Sequence, residues 1–397
     1  TMADMFKNAG YATAAIGKWH LGLGDITGEQ DWNAPLPCGL QDIGFDYHYI
    51  MAATGDRVPC VFIENGAVAN HDKSAPIEVS YKQNFPGEPT GHSNPEMLYN
   101  LKPSPNHGHD QSIVNGISRI GFMKGGGEAL WKDENIADSI TSHALDFIKE
   151  HHQEPFFMYL CTNDIHVPRF PHPRFRGKTK MGHRGDAIVQ FDWTVGQVLS
   201  TLKELGIDKN TIILLTSDNG PVVDDGYADQ AVEFLGNHKP SGPLRGNKYS
   251  SFEGGTRVPF IVTWPENIRK EQTSEALVSQ IDLFQSFAQL LNATLPKGAC
   301  PDSRGHWSSL VGEDNVGCQY VIEQNLWNVL SVRTLNWKYI EPSNGNSYMQ
   351  LTNIETGNNP EPQLYNMEQS FEEINIAPQH PDIVEQLQSI LKQERSK

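Results

Sequence analysis

The sequence predicts an α/β fold. A larger domain with a mostly parallel central sheet is expected over residues 1–295, followed by a smaller α+β subdomain with an antiparallel sheet over residues 296–397. Three observations predict it. Short continuous apolar runs, as expected of strands buried on both faces, alternate with stretches whose apolar residues recur at helical spacing. Gly and Pro, 35 and 25 of the 397 residues, punctuate them with ordered loops. After about Pro296 the character changes to closely spaced short strands, as in an antiparallel sheet packed on a larger unit.

Each element follows from its residues. Met2, Met5, Phe6 and Ala9 share a face, which reads as a helix that Gly10 stops. Residues 11–17 read as a short strand. Residues 24–130 are rich in Gly, Pro, Asn and His and weakly periodic. So long a stretch reads as a functional excursion with short strands such as Val61-Phe62-Ile63. Ile136, Ile140, Ala144, Phe147 and Ile148 mark an amphipathic helix. The apolar run 155–160 reads as a buried parallel strand. Ile188, Phe191, Val195, Val198, Leu199, Leu202 and Leu205 mark a second helix that closes at Gly206. Residues 211–215 and 259–262 read as buried strands and 281–291 as a helix. Residues 320–322, 330–334 and 337–340 read as antiparallel strands, and 383–391 as a final helix exposed on one side.

Composition bounds the function. The chain carries 31 Lys and Arg against 48 Asp and Glu, a net charge of −17. That excludes nucleic acid or an anionic membrane as a partner of the whole surface, and leaves room for an anionic substrate held by a few local cations. No run of 18 apolar residues exists to span a membrane. The cysteines (Cys38, Cys60, Cys161, Cys300, Cys318) show neither zinc spacing nor a dense disulfide framework, although one bridge has room to form. The first residues show no signal peptide, and the chain reads as beginning inside a domain, as a processed or partial sequence would.

In open α/β sheets ligands sit beyond the carboxyl ends of the strands. After the strand at 211–215 come Asp218 and Asn219, hard oxygen donors suited to Ca²⁺ or Mg²⁺, then Gly220, which lets the backbone turn away. An Asp-Asn-Gly turn is also an ordinary loop. After the strand at 11–17 come Lys18 and His20, which share a face if the chain stays extended. A cation beside an imidazole binds an anion and protonates a leaving oxygen, and a surface lysine beside a packed histidine is the plainer alternative. After 155–160 come Asp164 and His166, again alternating, or else a loop histidine satisfied by a carbonyl. Before the strand at 259–262, Lys248 lies among glycines that permit close backbone approach, unless this is simply a flexible basic loop. In the excursion, Asp56 with Arg57 and His109 in a polar cluster suit sugar hydroxyls or flanking anions, and equally suit structural pairing. His238 and Lys239 precede the lysine loop and are further substrate-binding candidates.

Jointly and in this order these pieces resemble the sulfatase family of the alkaline-phosphatase-like superfamily. Gly10-Tyr11-Ala12-Thr13-Ala14-Ala15-Ile16-Gly17-Lys18-Trp19-His20-Leu21-Gly22 is similar to its second signature. Asp192-Trp193-Thr194-Val195-Gly196, Thr216-Ser217-Asp218-Asn219-Gly220, the 246–259 stretch, Ser279-Gln280-Ile281-Asp282-Leu283 and Gln363-Leu364-Tyr365-Asn366-Met367 are similar to later landmarks. The resemblance spans nearly the whole chain. It implies a three-layer α/β sandwich and hydrolysis of sulfate monoesters, most like the bacterial arylsulfatases and carbohydrate sulfatases. It implies Asp218 and Asn219 as ligands of Ca²⁺, with Mg²⁺ as the alternative ion. Lys18 and Lys248 would hold sulfate oxygens, His20 would assist a formylglycine nucleophile, and His166 would contact the sulfate and protonate the leaving alcohol.

The family also uses an acidic pair on its first strand and a Cys or Ser, in a C/S-x-P-S-R type motif, that is oxidised to formylglycine. Both lie upstream of the Gly-Lys-Trp-His segment. None of the 17 residues before Lys18 fits. Ser241-Gly242-Pro243-Leu244-Arg245 sits inside the lysine landmark with Leu in place of a small residue, and Cys300-Pro301-Asp302-Ser303-Arg304 has its Pro one place early. The expectation is therefore a nucleophile upstream of this chain, no turnover by residues 1–397 alone, and a sheet that lacks a strand and exposes an edge. A sulfated glycan or other small sulfate ester is the expected partner, without nucleic acid or membrane, in the periplasm or outside the cell; the sequence sets no oligomeric state. The alternatives are a phosphatase or phosphodiesterase of the superfamily and a non-catalytic glycan-binding relic.

Overall fold

The computed structural model describes residues 1–25, 30–268, 272–368 and 372–396. Residues 26–29 of the expected excursion lie outside them. The chain divides into two compact units: residues 1–208 with 225–236, and residues 209–224 with 237–397.

In the first unit, α1 (Met2–Asn8) opens on a capping box in which the Thr1 hydroxyl and the Asp4 carboxylate each satisfy the other's backbone N–H. Strand β1 (Ala12–Lys18) is buried along most of its length. It pairs in parallel with β2 (Tyr47–Met51) on one side. Antiparallel β3 (Phe62–Glu64) and β4 (Ala67–Val68) extend the sheet beyond β2. The excursion then adds short ribbons: β5 (Glu78–Ser80) pairs with β8 (Phe122–Lys124), and β6 (Ile113–Val114) with β7 (Ile117–Ser118). Helix α2 (Ile136–His151) buries every residue of its expected apolar face, Ile136, Ile140, Ala144, Phe147 and Ile148. Strand β9 (Phe156–Cys161) returns parallel to β1, giving the order β4-β3-β2-β1-β9. Neighbouring side chains of β9 point to opposite faces. Phe157 stacks on Phe6 of α1 at 4.3 Å, and Phe156 meets Phe147 of α2 edge-on at 6.0 Å. The two helices therefore cover opposite faces, and this unit has three layers.

Two expectations need correction here. β9 reads as a fully buried strand, yet Tyr159 is 41 % exposed, because among the described residues β9 has a strand partner along one edge only. Helix α3 (Gly182–Glu204) forms where its apolar period places it, but only Leu202 of the expected stripe is fully buried, and Leu199 is exposed. The buried face is small and polar instead: Ala187, Gln190, Thr194 and Thr201, with Thr194 hydrogen-bonded to Thr141 of α2 at 3.0 Å. Small side chains let the two helices approach, and the hydroxyl pair removes the cost of burying each alone.

In the second unit, β10 (Ile213–Thr216) and β11 (Phe260–Thr263) are antiparallel and, with Ile261 58 % exposed, half-buried rather than the buried strands their apolar runs suggest. Among the described residues they form a two-stranded ribbon that buries one face of each strand at best. The four-residue helix α4 (Glu253–Thr256) lies between them in sequence. Helix α5 (Leu283–Leu291) and short α6 (Trp307–Leu310) follow. The expected antiparallel sheet is present: β12 (Val321–Gln324), β13 (Leu330–Arg333), β14 (Trp337–Ile340) and, after the ribbon β15 (Tyr348–Met349) with β16 (Ile354–Glu355), β17 (Gln363–Asn366) in the order β12-β13-β14-β17. Helix α7 (Pro381–Glu394) packs Leu387 and Leu391 against Val332, Tyr339 and Leu364 of this sheet. Lys338 is fully buried among Glu253 (3.2 Å), Glu323 (2.7 Å) and Glu372 (3.7 Å). All five cysteines are free.

Candidate active site

Each unit carries one constellation. In the first, β1 and β9 end side by side because Gly17 pairs with Cys161; a Cβ on Gly17 would stand 1.8 Å from the Cys161 carbonyl oxygen. Only glycine permits that approach. Lys18 closes β1, and Trp19 and His20 continue with backbone bonds to Met51 and Ala52 at the end of β2. His20 does not stay extended: its φ is +54°, so the face it presents is set by a left-handed turn and not by strand alternation. Desolvation first, then the charges of Arg57 and Lys18 and that of His166, draw the His20 imidazole below the ordinary histidine value, with Asp56 pulling the other way. His20, Lys18, Arg57, Asp56 and His166 are thus brought together beyond the carboxyl ends of adjacent parallel strands.

Asp56 is 4 % exposed and accepts from the Thr54 hydroxyl and from His109 Nε2 at 3.1 Å. Burial opposes its charge, but the His109 bond, the His166 charge and the Thr54 hydroxyl hold it well below the usual carboxylate range. His109 Nδ1 lies 3.0 Å from the His107 carbonyl, so both ring nitrogens face oxygen. Of the two sequence readings for Asp56 and His109, structural pairing is the one with visible bonds. Their partner in sequence, Arg57, has its Nε buried and without a hydrogen-bond partner among the described residues. An anion is the group that such a nitrogen accommodates.

After β9 the chain turns at 164–165, so Asp164 and His166 do not alternate along a strand either. Burial pushes the Asp164 carboxyl up to about 6, against a 2.9 Å bond from Gln190 of α3. His166 Nδ1 lies 2.8 Å from the Val167 carbonyl. A carbonyl accepts only, so Nδ1 carries the proton and proton exchange runs through Nε2.

In the second unit, Asp218 and Asn219 follow β10 as expected. The Ser217 hydroxyl donates to the Asn219 carbonyl at 3.1 Å, and Gln280 donates to the Ser217 carbonyl at 2.6 Å. Gly220 donates to the Gly255 carbonyl, and a Cβ there would stand 1.8 Å from Gly254 O. Lys248 N donates to Pro221 O at 2.9 Å, which brings the lysine loop to the Asp218–Asn219 turn, with its ammonium 5.1 Å from the Tyr249 ring centre. With Nδ2 of Asn219 donating to Gly220 O, Oδ1 is the amide atom suited to a cation. One carboxylate and one amide oxygen fit a hard divalent ion as part of the six to eight oxygens that Ca²⁺ takes. His238 and Lys239 sit on an exposed loop, and no bond ties them to Lys248 among the described residues. The two look-alike segments are engaged elsewhere: Arg245 pairs with Glu355, and Ser303 Oγ accepts from Gln285 N.

Sequence reasoning missed Arg119 and Gln190. Arg119 is fully buried, binds both Asp133 oxygens and donates to Gly55 O at 2.7 Å, and so fixes the loop that carries Asp56 and Arg57. No local pattern marks either residue, because each acts on a partner well separated in sequence.

The family model named Sulfatase matches residues 1–293. The chain is 52 % identical over 393 residues to an N-acetylgalactosamine-6-O-sulfatase of Bacteroides thetaiotaomicron, covering 99 % of this chain and 76 % of that one. It is 28 % identical to human steryl-sulfatase over 79 % of this chain, and spans 54 % of that protein's length. A solved structure concerned with glycosaminoglycan metabolism by Bacteroides thetaiotaomicron superposes with a TM-score of 0.97 at 50 % identity, covering all of this chain and 82 % of that one.

Proposed function

This chain belongs to the sulfatase family, and from that premise we propose that it hydrolyses a sulfate monoester of a carbohydrate, with 6-O-sulfated N-acetylgalactosamine as substrate. The observation that carries the reading is the gathering of Lys18, His20, Arg57 and His166 where β1 and β9 end. Lys18 offsets charge on the sulfuryl oxygens, the role that the family resemblance also gives to Lys248. His166, protonated at Nδ1 toward Val167, delivers a proton from Nε2 to the departing sugar oxygen. His20, drawn toward its neutral form, accepts a proton from the attacking hydroxyl. Arg57 and Asp164 orient the sugar. Asp218 and Asn219 would hold a divalent cation, Ca²⁺ first, which when bound withdraws charge from the transferring group.

We assign the attacking hydroxyl to a formylglycine outside residues 1–397, so that this stretch alone does not turn over substrate. The reading carries with it a periplasmic or extracellular location. Among the described residues no helix is long and apolar enough to cross a membrane.

The test uses the protein expressed from its complete reading frame, given 6-O-sulfated N-acetylgalactosamine, its 4-O isomer and the matching 6-phosphate. Sulfate release from the 6-O isomer, lowered at least about a hundredfold in His166→Ala, is the expected result. Phosphate release matching sulfate release would move the assignment to the phosphatase alternative. Sugar binding without release would move it to the glycan-binding one.

A further inference from the structure

Asp282, His306 and Cys318 converge in the second unit from three separate segments. Cys318 Sγ lies 2.9 Å from Asp282 Oδ2 and 3.3 Å from His306 Nε2. One ligand atom from each residue lies within 4.8 Å of the others. Among the described residues this is the group of three such side chains able to share an ion; Asp218 belongs to no comparable triple. Asp282 is 4 % exposed and Cys318 9 %, while His306 is half-buried and gives a way in.

We propose that these three side chains form a binding site for a zinc-class transition-metal ion, independent of the sulfate ester chemistry. Thiolate, imidazole and carboxylate together are a donor set that Zn²⁺ accepts, and the sulfur disfavours the hard Ca²⁺ and Mg²⁺. In a tetrahedral site with metal–ligand distances of about 2.0–2.3 Å the ligand atoms stand roughly 3.3–3.8 Å apart, so the Cys318–Asp282 and Cys318–His306 spacings of 2.9 and 3.3 Å lie within sub-ångström shifts of it. Three protein ligands leave a fourth position for water. Binding replaces one proton: the thiol hydrogen leaves to solvent as the sulfur–metal bond forms, with no change of oxidation state.

The supporting bonds are already in place. Asp282 Oδ1 accepts from Arg304 N at 2.8 Å and Oδ2 from Ser279 N at 3.2 Å. His306 N donates to Ser286 Oγ at 2.9 Å, and that hydroxyl donates to Asp282 O at 2.7 Å. Cys318 N donates to Leu277 O. Such bonds hold ligands at their positions before an ion arrives. Sequence spacing missed the site because Cys318 is the single cysteine in it and its partners lie 12 and 36 residues away.

The test strips the reduced protein with a chelator and titrates it with Co²⁺, whose thiolate ligation gives a near-ultraviolet charge-transfer absorption that oxygen-only sites do not show. The expected result is one equivalent bound, the absorption of one thiolate, and its displacement by Zn²⁺. Cys318→Ser removes the absorption. His306→Gln, at a half-buried position that tolerates change, weakens Zn²⁺ binding at least about tenfold, the lower end of the loss seen even for supporting residues. A folded protein without the absorption, or one in which Cys318→Ser leaves it unchanged, overturns the proposal and makes the triad a hydrogen-bonded knot.

Discussion

Replacing Arg119 by Met isolates the loop that carries Asp56 and Arg57. The guanidinium is fully buried and binds Asp133 at 2.8 and 2.7 Å, Gly55 O at 2.7 Å and Val114 O at 3.1 Å. Methionine keeps much of the length and removes every donor. Asp133 is then left buried, with the side chain of Asn115 at 3.2 Å as its visible partner. Breaking a buried pair in this way costs about 3–5 kcal/mol, because an uncompensated charge remains. At about 1.4 kcal/mol per factor of ten, local opening becomes a hundredfold to a few thousandfold more frequent. Hydrogen exchange reads it directly: the amides of Arg57, bonded to Thr54 O, and of Ile120, bonded to Asp56 O, lose protection by about that factor. Adding Asp133→Asn removes the stranded charge and recovers at least about half of the loss on the free-energy scale. Exchange that rises less than about tenfold in R119M would refute the reasoning and show that solvent or Asn115 already carries Asp133.

Three further outcomes follow from the geometry. Burial raises Glu372 from 4.5 to about 7, against the attraction of Lys338. The folded state therefore holds a proton that the unfolded state has lost, and stability falls between about pH 4.5 and about pH 7, by up to about 1.4 kcal/mol per unit; urea midpoints across that range should show the slope in the native chain and flatten in Glu372→Gln. The His20 imidazole should titrate below ordinary histidine by NMR, and Arg57→Ala should raise it, since Arg57 is the leading charge holding it down; an unmoved value would mean that desolvation alone sets it. Gly17→Ala should cost more than about 3 kcal/mol, beyond ordinary overpacking, because the new methyl meets the Cys161 carbonyl rather than a side chain able to move; thermal melts followed by circular dichroism check it.

Periodicity made α1, β1, α2, β9 and the C-terminal antiparallel sheet legible, since each places its apolar residues at the spacing its geometry requires. It placed α3 but not its buried face, which is Ala, Gln and Thr and carries no apolar signal. It placed β10 and β11 but not their burial, since their apolar runs are those of buried strands although the ribbon leaves Ile261 exposed. At the site, the rule that ligands lie past strand ends picked out Lys18, His20, His166, Asp218 and Asn219. It could not tell Arg57, whose Nε is buried without a partner among the described residues, from Asp56, which His109 engages from 53 residues away. Nor could it foresee Lys338 in a strand core, since its carboxylate partner Glu253 lies 85 residues distant.

The left-handed turn at His20 decides how that residue can be interrogated. An alanine there deletes the imidazole and also puts a Cβ with no polar group into a conformation that ordinary L residues avoid at a cost of about 1–2 kcal/mol. A fall in activity would then mix backbone strain with lost chemistry. Asparagine visits the same region readily and carries no imidazole. The pair His20→Asn and His20→Ala therefore separates what the ring contributes from what the turn contributes, at a position where a single substitution would confound them.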